Sequence, residues 1–240
     1  MNRIDVWNET KEYYHNYPTW SSYKYTEFPD LNLTTKYEST TITFVKGDMI
    51  DKAIELKKNG ANPLVLNMAD WDVAGGCVDA GSGAQEEECF RRSNYFKTLL
   101  QTYYPLKGCD TIVSKGVEYY RHGPQLGYAP MASKVKLDMI AQPALRFPQV
   151  TKDNKYFENM SDSLFFEEKI QMLLSVAALQ GNDTLILSAW GCGAFGCPPY
   201  HVAKKFKDIL QDYDGVFREV VFAIIGSNYN LFKDAFEEST

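Results

Sequence analysis

Trp71-Asp-Val-Ala-Gly-Gly-Cys-Val-Asp-Ala-Gly-Ser-Gly-Ala-Gln-Glu-Glu-Glu-Cys-Phe-Arg-Arg-Ser93 is the stretch that decides the fold. Four glycines, Gly75, Gly76, Gly81 and Gly83, fall within nine residues, and three carboxylates, Glu86, Glu87 and Glu88, follow them. Just upstream, residues 62–68 (Asn-Pro-Leu-Val-Leu-Asn-Met) read as a buried strand with a polar residue near its end. Strand, glycine-rich loop, acidic helix start: this order sets a pliable backbone and ionisable groups at the carboxyl end of a strand. Open α/β sheets take their ligands there. The same residues also suit a plain surface connector before an acidic first turn, because glycine-rich loops are common connectors.

Outward from that stretch the chain alternates. Residues 41–45 are β-branched and alternating, a strand. Asp48 is placed to cap a helix over 49–58, which Asn59-Gly60 ends. After the glycine loop the pattern predicts a helix over 85–103, stopped near Pro105. Glu87–Arg91 and Glu88–Arg92 stand at helical i,i+4 spacing on it. Strand-like runs at 111–114 and 117–120 flank Lys115-Gly116, and a further strand over 135–142 ends at Pro143. A polar loop over 146–160 leads into an amphipathic helix over 164–180. A strand over 184–188 precedes a second glycine stretch, residues 189–199, after which Pro199 starts a helix to about residue 210. A strand over 220–225 and a helix over 228–236 close the chain. At the other end, residues 5–15 have helix-like spacing, and 16–40, rich in Tyr, Thr, Pro and Ser, read as an irregular wrapped segment. Alternation without linker or repeat predicts one three-layer α/β domain on a largely parallel sheet, with both sheet faces covered.

Composition narrows the function. The 240 residues carry a net charge of −6, so no broad basic face for duplex nucleic acid is expected. Five cysteines at irregular spacing are neither a disulfide framework nor a paired zinc motif. Reduced thiols, no signal-peptide pattern and no apolar run of membrane-spanning length point to a cytoplasmic or nucleocytoplasmic protein without a membrane partner.

Seven of the sixteen glycines lie in residues 75–83 and 191–196, each cluster between a strand and a helix. Two such loops on one sheet edge make a cleft floored by free N–H groups and helix N-termini, suited to a diphosphate. No GxxxxGK[ST] is present, and neither loop matches the dinucleotide fingerprint. Phe195 inside the second loop either stacks on a ligand ring or folds onto the sheet, and Trp190 reads as core. Asp48 is an N-cap that can also accept from a base amino group. Asn67 stands at the loop mouth, where it can read a hydroxyl-rich ligand. Adjacent on a helix, Glu86 and Glu87 diverge by roughly 100°, so one can serve as a general acid at a glycosidic bond while the other holds a hydroxyl or the loop. Glu88 reads as a solvated partner of the helix dipole.

These residues carry a family resemblance. Asn67, then Ala74-Gly75-Gly76-Cys77, then Gln85-Glu86-Glu87 resemble the PGGG and QEE signature of microbial-type poly(ADP-ribose) glycohydrolases, a branch of the macrodomain fold. Phe44-Val-Lys-Gly-Asp48 is similar to the family's adenine-receiving motif, Ala189-Trp-Gly-Cys-Gly-Ala-Phe-Gly196 to its second phosphate loop, and Val221-Phe-Ala-Ile-Ile225 to its closing strand. The resemblance implies one macrodomain-like α/β/α domain over 1–240 with a mixed, largely parallel sheet, and residues 1–40 packed on it as an extension. It implies Glu87 as general acid, Glu86 and Asn67 on the distal ribose, and Gln85 within the signature. It also implies Gly75, Gly76, Cys77, Gly191, Gly193, Ala194 and Gly196 around the diphosphate, Phe195 against the distal ribose and Asp48 at adenine. The partner it implies is ADP-ribose or poly(ADP-ribose), free or on an ADP-ribosylated protein, met by a monomer without metal or cofactor. Cys77 replaces the third glycine of the signature and Ala74 its proline, which puts a side chain where the family has none. The competing expectations are a non-catalytic module that binds ADP-ribose and, further off, a Mg²⁺-dependent phosphoester hydrolase.

Overall fold

The computed structural model describes residues 2–238. Among these residues seven strands, β1 Tyr23–Tyr25, β2 Thr41–Lys46, β3 Pro63–Met68, β4 Thr111–Arg121, β5 Pro130–Gln142, β6 Thr184–Leu187 and β7 Glu219–Ile224, form one sheet in the order β1-β4-β5-β3-β6-β7-β2. The pairs β5–β3, β3–β6, β6–β7 and β7–β2 are parallel, whereas β1–β4 and β4–β5 are antiparallel. This is the mixed, largely parallel α/β sheet expected. All of β6 is buried, as a strand covered on both faces must be.

Among the described residues six helices, α1 Arg3–Tyr13, α2 Met49–Lys58, α3 Gln85–Arg92, α4 Met160–Leu179, α5 Pro199–Leu210 and α6 Asn228–Glu237, complete the fold. Asp48 caps α2 by accepting from the Asp51 N–H at 2.8 Å. Helices α2 to α6 follow β2, β3, β5, β6 and β7 in turn, so each helix N-terminus lies near the carboxyl end of a parallel strand. Val65, Leu66, Ile186, Phe206, Phe222 and Trp190 belong to one continuous buried core.

The structure departs from the sequence reading in several elements. Helix α3 ends at Arg92 and does not run to 103, because Ser93 is extended (φ −149°, ψ 177°) and bridges Tyr119. The Ser93 hydroxyl donates to the Cys89 carbonyl at 2.6 Å, closing off the helix, and short 3₁₀ turns at Tyr95–Lys97 and Gln101–Tyr103 follow. The two runs around Gly116 are one strand, β4, carrying a bulge where Gly116 takes φ +68°. Strand β5 starts at Pro130, five residues before the apolar run, because its first half is an exposed antiparallel arm. The segment 16–40, expected to be irregular, contributes β1 at the sheet edge.

The N-terminal helix lies over the glycine loop. Trp7 Nε1 donates to Asp79 at 2.7 Å, and the Thr10 hydroxyl donates to the Arg91 carbonyl at 2.6 Å. A Cβ on Gly81 would stand 3.1 Å from Ile4.

Candidate active site

A cavity of about 390 Å³ opens at the carboxyl ends of the parallel strands. Ligand pockets of small molecules have this size and, in open sheets, this place. Its wall takes Asp48 and Met49 after β2, Met68 at the end of β3, Ala144 after β5, residues 188–191 and 193–195 after β6, and residues 223–225 of β7 and beyond. Residues 83–85 and Glu88 close the side formed by the first glycine loop and α3.

Of the residues singled out in the sequence, Asp48, Gln85, Gly191, Gly193, Ala194 and Phe195 line this cavity. Asn67, Gly75, Gly76, Cys77, Glu86, Glu87 and Gly196 are not in its wall. Asn67 at the end of β3, Gly75, Gly76 and Cys77 in the first glycine loop, and Glu86 and Glu87 in the first turn of α3 cluster beside it. Gly75 and Gly76 take φ +83° and +57°, and both sit too close to α3 for any side chain. A Cβ on Gly75 would come 2.5 Å from the Phe90 ring, and one on Gly76 would come 2.7 Å from Glu87 Oε1. Cys77 has φ −97°, a conformation open to any residue, and is exposed. The chain therefore accommodates a side chain at the third signature position without backbone strain.

The three glutamates turn to three different neighbourhoods. Glu86 accepts from Asn67 Nδ2 at 3.1 Å and from the Asp70 N–H at 2.7 Å, with the Tyr104 hydroxyl at 3.4 Å. Burial, with a smaller push from the neighbouring Glu87, raises the Glu86 carboxyl to about 8 against the pull of those two donors. Glu87 accepts from the Cys77 N–H at 3.1 Å through Oε1, while its buried Oε2 has no partner. Asn67 Oδ1 is likewise buried and unpartnered. Buried polar atoms are almost always paired, so two orphans at one site leave room for a ligand's groups.

Glu88 is not the solvated dipole partner expected from sequence. It is 6% exposed and accepts from Arg91 Nη1 and from the Tyr128 hydroxyl, each at 2.8 Å. The expected i,i+4 pairs also give way. Glu88 pairs with Arg91 at i,i+3, and the fully buried Arg92 pairs with Asp48 at 2.9 Å and with Asp51. Burial drives this exchange, since a buried guanidinium needs carboxylates that can reach it, whatever their place in the chain. Gln85 spends its side chain on β3, accepting from the Met68 N–H and donating to the Leu66 carbonyl, both at 2.9 Å.

In the second loop Gly191 takes φ +76°, and a Cβ there would come 2.6 Å from the Cβ of Ala144 and 2.7 Å from Cys197 Sγ. Cys197 Sγ donates to the Leu145 carbonyl at 3.3 Å. Trp190 is fully buried, as the sequence suggested. Phe195 is half-buried at the cavity wall beneath the Arg146 guanidinium, 5.1 Å from its ring centre.

Four contributors escaped the sequence reading: Arg3, Trp71, Tyr104 and Arg146. Arg3 lines the cavity with Nε 3.9 Å from Glu88. Trp71 Nε1 donates to the Ala144 carbonyl at 2.7 Å. Its ring faces the buried Lys169 ammonium at 4.3 Å, and burial lowers that lysine to about 8. Among the described residues no three His, Cys, Asp or Glu side chains converge in a way that would hold a metal ion, and no helix is long and apolar enough to cross a membrane.

The family model described as microbial-type PARG, catalytic domain, matches residues 3–122, half of the chain. No curated protein matches the sequence. Among solved structures, the poly(ADP-ribose) glycohydrolase of Thermomonospora curvata is similar with a TM-score of 0.83 and 21% identity, over 98% of this chain and 99% of that one. The same enzyme bound to the inhibitor ADP-HPD is similar with a TM-score of 0.79 and 22% identity, over the same shares. The glycohydrolase of Deinococcus radiodurans in complex with ADP-ribose is similar with a TM-score of 0.73 and 21% identity, over 98% of this chain and 92% of that one. At that identity the structures speak for the fold, and the family model speaks for kinship. Together with the QEE turn beneath two glycine loops, the match over residues 3–122 makes this chain a member of the microbial-type poly(ADP-ribose) glycohydrolase family, a glycoside hydrolase of that type.

Proposed function

We propose that the cavity binds the ADP-ribose end of poly(ADP-ribose) and that Glu87 is the general acid that breaks the ribose–ribose bond. The arrangement around Glu87 carries this reading. Its carboxyl is buried, Gly76 lies close enough that a side chain would strike it, one oxygen is fixed by the Cys77 N–H, and the other is free. Fixed placement with one unpartnered oxygen suits a group that delivers a proton to a leaving group. Glu87 in its acid form gives its proton to the leaving ribose oxygen as that oxygen takes the electron pair of the C–O bond. The carboxylate that remains accepts a proton from the incoming water as the water oxygen bonds to the anomeric carbon.

Glu86 has both oxygens engaged by Asn67 and Asp70, which suits it to hold the distal ribose with Asn67. Its pKa, raised to about 8, keeps it protonated at neutral pH, so Glu86 adds no charge next to Glu87. Gly191, Gly193 and Ala194 offer backbone to the diphosphate from the cavity wall, with Gly75, Gly76, Cys77 and Gly196 in the adjoining turns, and Phe195 packs on the distal ribose. Asp48 receives the adenine amino group while capping α2 and pairing with Arg92. Residues 1–40 act as an extension packed on the domain, and the protein works as a monomer inside the cell, on free polymer or on ADP-ribosylated protein.

The test is release of ADP-ribose from automodified polymer by the wild type and by Glu87→Gln. We expect kcat to fall by about a hundredfold or more with ADP-ribose affinity within about threefold, the signature of a group used only in the transition state. Wild-type turnover by a folded Glu87→Gln protein would remove Glu87 from the role. Tight ADP-ribose binding by a wild type without turnover would make the domain a reader.

A further inference from the structure

Between the two glycine loops runs the segment after β5, and one side chain on it touches both. Arg146 Nη2 donates to Asp70 Oδ2 at 2.7 Å, and Nη1 donates to Asp72 Oδ2 at 2.9 Å. The same guanidinium covers the Phe195 ring at 5.1 Å. Planar guanidinium both forks to carboxylates and stacks on rings, which a lysine cannot do in one pose. Asp70 is the residue whose N–H holds Glu86 Oε2 at 2.7 Å. Its Oδ1 also accepts from the N–H groups of Asp72 and Val73, at 2.8 and 3.0 Å, shaping the turn that leads to Gly75 and Gly76. Backbone reinforces the bridge, since the Phe147 N–H donates to the Phe195 carbonyl at 2.8 Å.

We propose that Arg146 is a positioning residue that holds the carboxylate-bearing turn and the Phe195 loop in register across the reacting end of the site. It acts through Asp70 on Glu86 and through its own stacking on Phe195, and it is not part of the cavity wall. The two loops are far apart in the sequence, after β3 and after β6, and Arg146 joins them from a third connection, after β5. Displacement of either loop by about an ångström is enough to misplace a reacting bond. The kinetic part of this inference rests on the hydrolase reading above; the structural part does not.

The experiment compares the full chain with Arg146→Ala and Arg146→Lys by amide hydrogen exchange, thermal melting, polymer turnover and ADP-ribose titration. In Arg146→Ala we expect exchange in segments 70–77 and 193–197 to rise by about tenfold while α5 exchanges as in the wild type. We expect kcat to fall by about tenfold with ADP-ribose affinity lowered less than about threefold. Arg146→Lys should recover little of either, because it lacks the fork. In a Phe195→Ala background the added cost of Arg146→Ala should shrink to the part that acts through Asp70, because the two substitutions share the ring contact. Unchanged exchange in either segment overturns the proposal. So does an equal Arg146→Ala loss in both backgrounds, or a matched loss of melting temperature, affinity and kcat. If the wild type does not cleave polymer, the hydrolase reading fails, and the exchange result alone decides the role of Arg146.

Discussion

Glu86 concentrates the cost of building this site. A carboxyl that ordinarily titrates near 4.5 is buried beside Glu87 and held up to about 8. Between those two values the native chain keeps a proton that the unfolded chain has released. Stability therefore declines as pH rises from about 4.5 to about 8, and levels off above. Glu86→Gln removes that titration. In urea unfolding at several pH values, the variant should gain on the wild type steadily across the interval, and parallel stability curves would sink the assignment. Residue-scale legibility was uneven for physical reasons. Gly75 and Gly76 stood out because only glycine tolerates their backbone angles so close to α3. Burial of all three glutamates did not stand out, because a run of carboxylates in a first turn is normally solvated and its partners lie elsewhere in the chain.

Helix α3 shows what an element can hide. It is only eight residues long and polar around most of its circumference, yet Glu86 to Arg92 are all buried. Sequence periodicity reads such a helix as a surface element. Tertiary charge pairing reverses that, with Asp48 and Asp51 of the preceding unit neutralising Arg92, and Tyr128 and Arg91 meeting Glu88. Its C-terminus is hidden from the sequence for the same reason: Ser93 leaves the helix to join Tyr119, a partner outside any local window. Gln85 ties the helix to β3 at its first residue. Gln85→Ala leaves the Leu66 carbonyl and the Met68 N–H without their partner, and we expect a loss of about 2–4 kcal/mol in chemical denaturation. A loss below about half a kilocalorie would mean that the helix is held by its charges alone.

On the scale of the molecule, the parallel half of the sheet was legible because strands buried on both faces are continuous apolar runs, each followed by a helix. The antiparallel edge was not: β1 has three residues, β4 is split by its bulge, and half of β5 is an exposed arm. Nothing in the sequence marks Arg146, because the segment after β5 has the composition of a plain loop. What the whole surface does to an incoming polymer follows from the cavity wall. Arg3 is the only cationic side chain lining it among the described residues, against Asp48 and Glu88, on a protein of net charge −6. Recognition of a diphosphate by backbone dipoles displaces few mobile ions. Raising sodium chloride from about 50 to about 500 mM should therefore change ADP-ribose affinity by less than about threefold, read by calorimetry. Encounter with a long polyanionic chain obeys the opposite rule. Two bodies of like charge meet faster when the solution screens them, so the association rate for long polymer should climb with ionic strength while the affinity of its terminal unit stays level.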